Sequence, residues 1–306
     1  MNIKNDVCTI PFRHHHDVYL QKMHLFLNKT YYAILFGTEK ESIPDELHMR
    51  RFKTMEGEWA HYEEQHCLVQ YPCEQQVRDV FFIKKVLSSH PVFDHVLFDY
   101  LCHLASESDI KNFILNESIL NLEFFDYLAF ALPGTRGQMK SEIARNLWDE
   151  AGKGEEALFH TTLFERLMHD LELKYDREAI LSRLSWEALA GINLFNRLAS
   201  YPVNKMKYFG LLAATELLDP LHYTKFIQGL SRVFRNKSVD YRYYSEHETI
   251  DVLHAQGWLE KVILPTLVKN PEKTKDFWIG FYLRLDSAKR YYDQLFDLIS
   301  NQSIAA

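Results

Sequence analysis

From about residue 76 onward, apolar residues recur at three- and four-residue intervals, which is the spacing of helices with one buried face. The pattern is clearest in EQQVRDVFFIKKVLSSH, VFDHVLFDYLCHLAS and SDIKNFILNESILNLEFFDYLAFAL, and no stretch alternates as a β-strand would. Glycine and proline are scarce, at 11 and 9 residues, which also argues against a β-rich chain. We therefore predict an all-α fold, one bundle of about eight to ten helices.

Glycine and proline indicate where these helices end. Pro133 ends one helix, the segment 152–154 (Gly-Lys-Gly) interrupts another, and Pro220 is expected to separate KMKYFGLLAATELLD from LHYTKFIQGLSRVF. Residues 1–75 are less regular. We predict that they form an N-terminal extension and that residues 76–306 form the helical bundle.

Composition and charge narrow the classes of function. The net charge is -7 and no basic stripe stands out, so we expect no nucleic-acid partner. Mean hydropathy is -0.28 and no apolar run has the length of a membrane span. The first residues lack the apolar core of a signal peptide, and the four cysteines form no CxxC pair. These features predict a cytoplasmic protein with free thiols.

The segment SEHETIDVLHAQGW contains the pattern HxxxDxxH, formed by His247, Asp251 and His254. On a helix, Asp251 lies within about 40° of His247 and His254 within about 20°, so the three side chains share one face. That face is either solvated or buried, and the apolar neighbours Val252, Leu253 and Leu259 favour burial nearby. Two buried imidazoles and a carboxylate need compensation. Iron, manganese or zinc would supply it.

A metal site needs ligands from other helices as well. Glu216 is the one acid well inside the apolar run YFGLLAATELLDP. Glu150 and His160 in NLWDEAGKGEEALFH share a face only if the chain bends at Gly152 or Gly154. Three nearby acids compete with Glu150 for this role: Asp149, Glu155 and Glu156.

Taken together, NLWDEAGKGEEALFH, a Glu on an apolar helix, and HxxxDxxH followed by Gly-Trp resemble the heme-oxygenase-like diiron oxidases. These proteins are also described as iron-containing redox enzymes. The resemblance covers roughly residues 90–300 and implies a heme-oxygenase-like helical bundle that holds two Fe(II)/Fe(III) ions. By position it implies six metal ligands: Glu150, His160, Glu216, His247, Asp251 and His254.

The resemblance also implies a reaction. Two ferrous ions would reduce O₂ to a peroxo-diferric intermediate, which would N-oxygenate a small molecule or cleave one of its C–C bonds. The expected substrate is an amino acid, an amine or a fatty acid in a biosynthetic pathway, with no catalytic residue beyond the metal ligands and no organic cofactor. A homodimer and an external electron donor are compatible with this expectation.

Two alternatives stay open. The pairs Glu58/His61 and Glu63/His66 match the ExxH pattern of ferritin-like diiron proteins. They lie on one segment and face different directions, so we interpret them as part of a solvated polar helix. A metal-free or thiaminase-like member of the same fold would instead be a binding protein or a hydrolase. The hydrolase requires a nucleophilic cysteine, and Cys102 is more typical of core packing.

Overall fold

In the computed structural model, which describes residues 17–37, 44–77 and 79–305, the chain folds into α-helices, and these ranges contain no β-strand. The prediction of an all-α fold is confirmed. The α-helices are α1 (Asp17–Leu35), α2 (Glu46–Gln70), α3 (Val80–Ser88), α4 (Val96–His103), α5 (Glu107–Ala131), α6 (Gly137–Glu150), α7 (His160–Asp170), α8 (Arg177–Arg183), α9 (Trp186–Ser200), α10 (Lys205–Val233), α11 (Arg242–Gly257), α12 (Leu264–Lys269) and α13 (Thr274–Ala305). The described residues thus contain more helices than the predicted eight to ten, because short turns divide several of the apolar runs.

Local side-chain chemistry determines where several of these helices begin. Asp79 Oδ1 accepts a hydrogen bond from the Phe82 amide at 2.8 Å at the start of α3. Ser106 and Asp109 form a reciprocal capping box at the start of α5. Such caps satisfy amide groups that have no partner within the helix.

The N-terminal part of the chain is more regular than its sequence suggests. Residues 17–35 and 46–70 form α1 and α2, which pack against α9 and α13. Tyr31 and Phe52 are fully buried and stack edge to face at 5.0 Å. The division of the chain near residue 75 stays a prediction.

Helix α10 lies at the centre of the bundle, where it packs against α13, α11 and α4. The predicted break at Pro220 is wrong, because α10 continues through this residue. Proline has no amide hydrogen, so the carbonyl of Glu216 loses its usual partner four residues later. Leu218 and Phe226, on either side of the proline, are fully buried, and this packing keeps the helix continuous.

Glycines allow α10 and α13 to approach within backbone contact. A Cβ atom on Gly280 would lie 1.8 Å from the Lys207 carbonyl oxygen, and one on Gly210 would lie 2.2 Å from that of Phe277. Both distances are far below van der Waals contact. This close crossing fixes the position of α10, and therefore of Glu216, within the bundle.

The described cysteines are buried and free of disulfides. The Sγ atoms of Cys67 and Cys73 lie 3.6 Å apart, and Cys102 Sγ donates a hydrogen bond to Gln228 Oε1 at 3.3 Å. Cys102 therefore packs in the core, as its sequence context predicts. Among the helices of the described ranges, none has both the length and the apolar character needed to cross a bilayer.

Candidate metal centre

A tight connection brings the end of α6 close to the start of α7. Glu150 is the last residue of α6 and His160 is the first of α7, with two short 3-10 turns between them. Gly152 has a φ of +56°, and a Cβ atom at this position would lie 2.4 Å from the carbonyl carbon of Leu158. The expected interruption at the glycines is present, and it places Glu150 and His160 side by side.

On α11, the polar stripe formed by His247, Asp251 and His254 faces inward. His247, Asp251 and His254 are each at most 4% exposed, whereas Val252 and Leu253 are 53% and 59% exposed. Of the apolar neighbours Val252, Leu253 and Leu259, only Leu259 is buried together with the stripe. The stripe is buried because it faces the polar side chains of α6, α7 and α10.

Two groups of potential ligand atoms share one residue. Atoms of Glu150, His160 and His247 lie within 4.8 Å of one another, and the same holds for Glu150, Asp251 and His254. In the first group, His160 Nδ1 is 2.7 Å from Glu150 Oε2, and His247 Nε2 is 3.8 Å from Glu150 Oε1. Glu150 therefore lies between the two groups, where a carboxylate can bridge two cations.

Glu216 joins the second group through His254. His254 Nδ1 is 3.5 Å from Glu216 Oε2 and 3.7 Å from Asp251 Oδ1. The amide of Asn146 donates to the other carboxylate oxygen of Glu216 at 3.1 Å. The structure thus brings together all six side chains singled out in the sequence, while their role as ligands stays a prediction.

Several ligand-type atoms in this centre lack a hydrogen-bond partner. Glu150 Oε1, His160 Nδ1 and His254 Nδ1 are buried and make no properly aligned hydrogen bond. Buried polar atoms are costly when unpaired. Their convergence is the arrangement expected of a site that binds cations.

One ring nitrogen of His247 and one of His254 have partners that orient these rings. His247 Nδ1 donates to the Tyr243 carbonyl oxygen at 2.5 Å, which leaves Nε2 as the free acceptor. His254 Nε2 lies 3.3 Å from Asp149 Oδ2, which leaves Nδ1 facing Glu216 and Asp251. A second hydrogen bond of this kind is typical of metal-binding histidines.

Sequence reasoning missed two contacts of this centre. From the sequence, Asp149 is only a competitor of Glu150 for the role of ligand, whereas in the structure its Oδ2 contacts His254 Nε2 and orients that ring. Helical spacing places Glu246 off the face of the stripe, yet its Oε2 lies 3.6 Å from His160 Nε2. The other competing acids, Glu155 and Glu156, are exposed. An acid directly beside a predicted ligand is the signal that could have indicated Asp149.

Burial and neighbouring charges shift the pKa values of the side chains in this centre. Burial, followed by the carboxylates of Glu216 and Glu150, raises the pKa of Asp251 well above its usual range. Burial, followed by repulsion from His160, lowers the pKa of His247 to about 4, so this imidazole is neutral at pH 7. Burial lowers the pKa of His254, but the Glu216 carboxylate outweighs this effect and raises it to about 9, so His254 would release a proton when a divalent cation binds.

The rival ExxH pairs do not form a comparable centre. Both pairs lie on α2, so the helix expected for this segment is present, and His61 and His66 are exposed. Glu63 is buried, contrary to the solvated interpretation, because Arg290 Nη2 donates to its carboxylate at 2.9 Å. This ion pair accounts for the burial of Glu63 without a metal.

A narrow pocket of about 20 Å³, here called the central pocket, lies beside the metal centre. It is formed by residues of α5, α10 and α11. Its lining comprises Leu120, Asn121, Phe124, Thr215, Glu216, Asp219, Tyr223, Tyr243, His247 and Asp251. The pocket has room for about one water molecule, which would touch three of the six side chains.

The sequence matches one family of known proteins and part of one curated relative. The profile of a family described as iron-containing redox enzymes matches residues 111–289. A nitrosourea synthase from Streptomyces achromogenes subsp. streptozoticus is 30% identical over 148 residues, which are 46% of this chain and 31% of that protein. The chain therefore matches only about a third of that relative's length.

Two crystal structures of a CADD-like protein of unknown function from Nostoc punctiforme PCC 73102 have a similar fold. Their TM-scores are 0.56 and 0.55, and their sequences are 16% identical to this chain. Each alignment covers 78% of this chain, together with 98% and 97% of the other. At this identity the similarity is evidence for the fold alone.

Proposed function

This chain belongs to the family of iron-containing redox enzymes, and we propose that it is an O₂-dependent non-heme diiron oxidase or oxygenase acting on a small molecule. The observation that carries the proposal is the position of Glu150. It is common to the two groups of ligand atoms, as a residue that bridges two iron ions would be.

The side chains fit a pair of irons in number and in charge. Three carboxylates (Glu150, Glu216 and Asp251) and three imidazoles (His160, His247 and His254) would hold the metals. Oxygen and imidazole donors suit iron, and three negative charges nearly balance two ferrous ions. When bound, the irons would supply the electrons that activate O₂.

The protein's own residues would position the reactants and exclude water. Tyr243 and Asp149 hold two of the histidines in one tautomer each. Tyr223, Tyr243 and Phe124 line the central pocket beside His247 and Asp251, where they would shield the reacting groups from solvent. A substrate that widens this narrow pocket would lie next to the metals.

The reaction within this class is N-oxygenation or oxidative C–C cleavage, and the substrate is an amino acid, an amine or a fatty acid. A relative named nitrosourea synthase supports chemistry at nitrogen. Because this chain matches about a third of that protein, the whole activity of the relative is not assigned to this chain.

Anaerobic titration with Fe(II), followed by exposure to O₂, tests the proposal. We expect about two irons per chain, consumption of O₂ and a transient visible absorption band. His247→Ala and Glu216→Ala should lose the band and bind less iron, because each removes a side chain of the centre. His66→Ala, which changes an exposed histidine on α2, is the matched control and should behave like the wild type.

Protein that takes up no iron and consumes no O₂ would contradict the proposal and would favour a metal-free binding protein with this fold. If iron binds, O₂ consumption should then be measured with a panel of amino acids, amines and fatty acids. A substrate that accelerates O₂ consumption, together with identification of its product, distinguishes N-oxygenation from C–C cleavage.

A further inference from the structure

One row of residues on α5, here called the α5 row, borders three cavities in succession. The row consists of Asn112, Asn116, Leu120 and Phe124, which are four positions apart and therefore lie on one face of the helix. Asn112 and Asn116 line a cleft of about 750 Å³ at the protein surface, here called the surface cleft. Leu120 and Phe124 line the central pocket. The row thus connects the surface cleft with the central pocket over about 18 Å.

A smaller cavity of about 40 Å³, here called the inner cavity, lies between these two spaces and is bordered by α5, α9 and α13. Asn116 lines both the surface cleft and the inner cavity, and Leu120 lines both the inner cavity and the central pocket. The ring of Phe195 in the wall of the inner cavity lies 6.4 Å from the ring of Phe124 in the central pocket. A single layer of side chains therefore separates each space from the next.

The wall of the inner cavity suits a small neutral molecule. Apolar side chains form the larger part of its surface: Leu120, Ala188, Ile192, Phe195 and Ala288. Glu117 and Arg284 add one acid and one base, so neither sign of charge predominates. Apolar cavities in proteins take up small apolar molecules, because water gains little from entering them.

The size of the cavities decides which molecule can follow the α5 row. A cavity needs about 10–15 Å³ for each water molecule, so the inner cavity holds about three molecules of this size and the central pocket about one. The expected organic substrates are larger, whereas O₂ has two heavy atoms and no charge. We propose that the inner cavity binds O₂ and that O₂ reaches the metal centre along the α5 row. This route rests on the proposed function, because O₂ is the co-substrate of that centre.

Two alanines keep the inner cavity open. Ala288 on α13 and Ala188 on α9 are both buried and face the cavity from different helices. A valine at either position adds two methyl groups to this space. O₂ would then pass only when the packed helices move apart, which is costly in a close-packed interior.

Methyl NMR of the metal-free full chain under O₂ pressure tests whether O₂ enters the inner cavity. Dissolved O₂ is paramagnetic and accelerates the relaxation of protons that it approaches. We expect a larger enhancement at the methyl groups of Ile192 and Leu120 than at those of Ile143, which is fully buried but lines none of the three spaces. Ala288→Val should abolish the excess at Ile192, because the added methyl groups occupy the cavity.

The reaction of the Fe(II)-loaded chain with O₂ tests whether the inner cavity lies on the route. Ala288→Val and Ala188→Val should each lower the second-order rate constant for O₂ consumption by about tenfold and leave the iron content unchanged. Ala199→Val makes the same substitution on α9 away from the three spaces and should react at the wild-type rate. Thermal melting checks that each variant is folded, and either cavity variant suffices if the other does not fold.

Equal relaxation enhancement at Ile192 and Ile143 in the wild type would overturn the O₂ site. Iron uptake separates failure of the route from failure of the proposed function. Protein that binds iron and consumes O₂ at the same rate whether or not the inner cavity is filled overturns the route alone. Protein that shows the excess relaxation at Ile192 but takes up no iron overturns the diiron proposal alone.

Discussion

At the scale of single residues, Asp149 affects the metal centre although it is not one of the six side chains. Its Oδ2 lies 3.3 Å from His254 Nε2, so it determines which ring nitrogen of His254 faces Glu216 and Asp251. Loss of this contact would allow the imidazole to rotate or to change its tautomer. Contacts of this kind commonly change metal affinity by about 10- to 100-fold.

We therefore predict that Asp149→Ala weakens iron binding by about 10- to 100-fold without unfolding the protein. Asp149→Asn should lose less, because its amide oxygen can still accept a hydrogen bond from Nε2. Competition with a chelator of known affinity measures both effects. Glu155→Ala removes an exposed acid of the same connection and is the control. Equal affinities for all of these proteins would show that Asp149 does not orient His254.

The residues that could be predicted from sequence are those fixed by helical spacing. His247, Asp251 and His254 share one face because their positions require it, and all three are buried. Spacing could not select Glu150 from the neighbouring acids, because that choice depends on how the glycines turn the chain. It also could not predict that Val252 and Leu253 are exposed, since burial on α11 is decided by polar partners on other helices.

At the scale of elements, the connection between α6 and α7 controls the geometry of the centre. Gly152 has a φ of +56° and lies against the backbone of Leu158 and Phe159. A side chain at this position would be strained and would force the two helices apart. Glu150 and His160 would then separate, although neither had been changed.

We predict that Gly152→Ala lowers both the free energy of unfolding and the iron content per chain. Two effects combine: alanine rarely adopts positive φ, and its Cβ atom would overlap Leu158. Urea unfolding and metal analysis provide the measurements.

Gly57→Ala, in the middle of α2 with no atom within 4 Å of the added Cβ, is the matched control. It should instead stabilise the protein by roughly 0.5–1 kcal/mol and leave the iron content unchanged. A Gly152→Ala protein with wild-type stability and iron content would show that the connection tolerates a side chain.

Most helices could be predicted from their periodicity, and the predicted heme-oxygenase-like bundle is confirmed by the family match. The exception is instructive. Pro220 is a valid signal for a helix end, but tertiary packing on both sides of it outweighs the one hydrogen bond that it removes. The regularity of α1 and α2 was similarly hidden, because their apolar faces become evident only when α9 and α13 are in place.

At the scale of the whole molecule, two buried histidines far apart in sequence affect stability in acid. Burial is the largest cause that lowers the pKa values of His24 and His222 to about 3, from 6.5. His24 lies on α1 beside Trp59, and His222 stacks on Phe98 at 3.9 Å. Both are neutral in the folded protein, whereas both take up a proton in the unfolded chain below pH 6.5.

The unfolded state therefore binds more protons than the folded state between pH 6.5 and 3, so stability falls as pH decreases through this range. From pH 7.5 to 5.5, each histidine should contribute a loss of about 1.4 kcal/mol. We predict that His222→Gln reduces the pH dependence of the unfolding free energy by that amount. Urea unfolding at the two pH values provides the test, with His66→Gln as the exposed control. Parallel pH profiles for His222→Gln and the wild type would contradict it.

The proline within α10 has a mechanical consequence. Because Pro220 offers no amide hydrogen, the backbone oxygen of Glu216 is released from the helical ladder at the same residue whose carboxylate reaches the candidate metal centre. Because one bond of the helical ladder is missing here, bending at this point requires less energy than elsewhere along α10. Glu216 thus lies at the most easily bent part of α10, while the close crossing with α13 at Gly210 holds the preceding part of the helix in place.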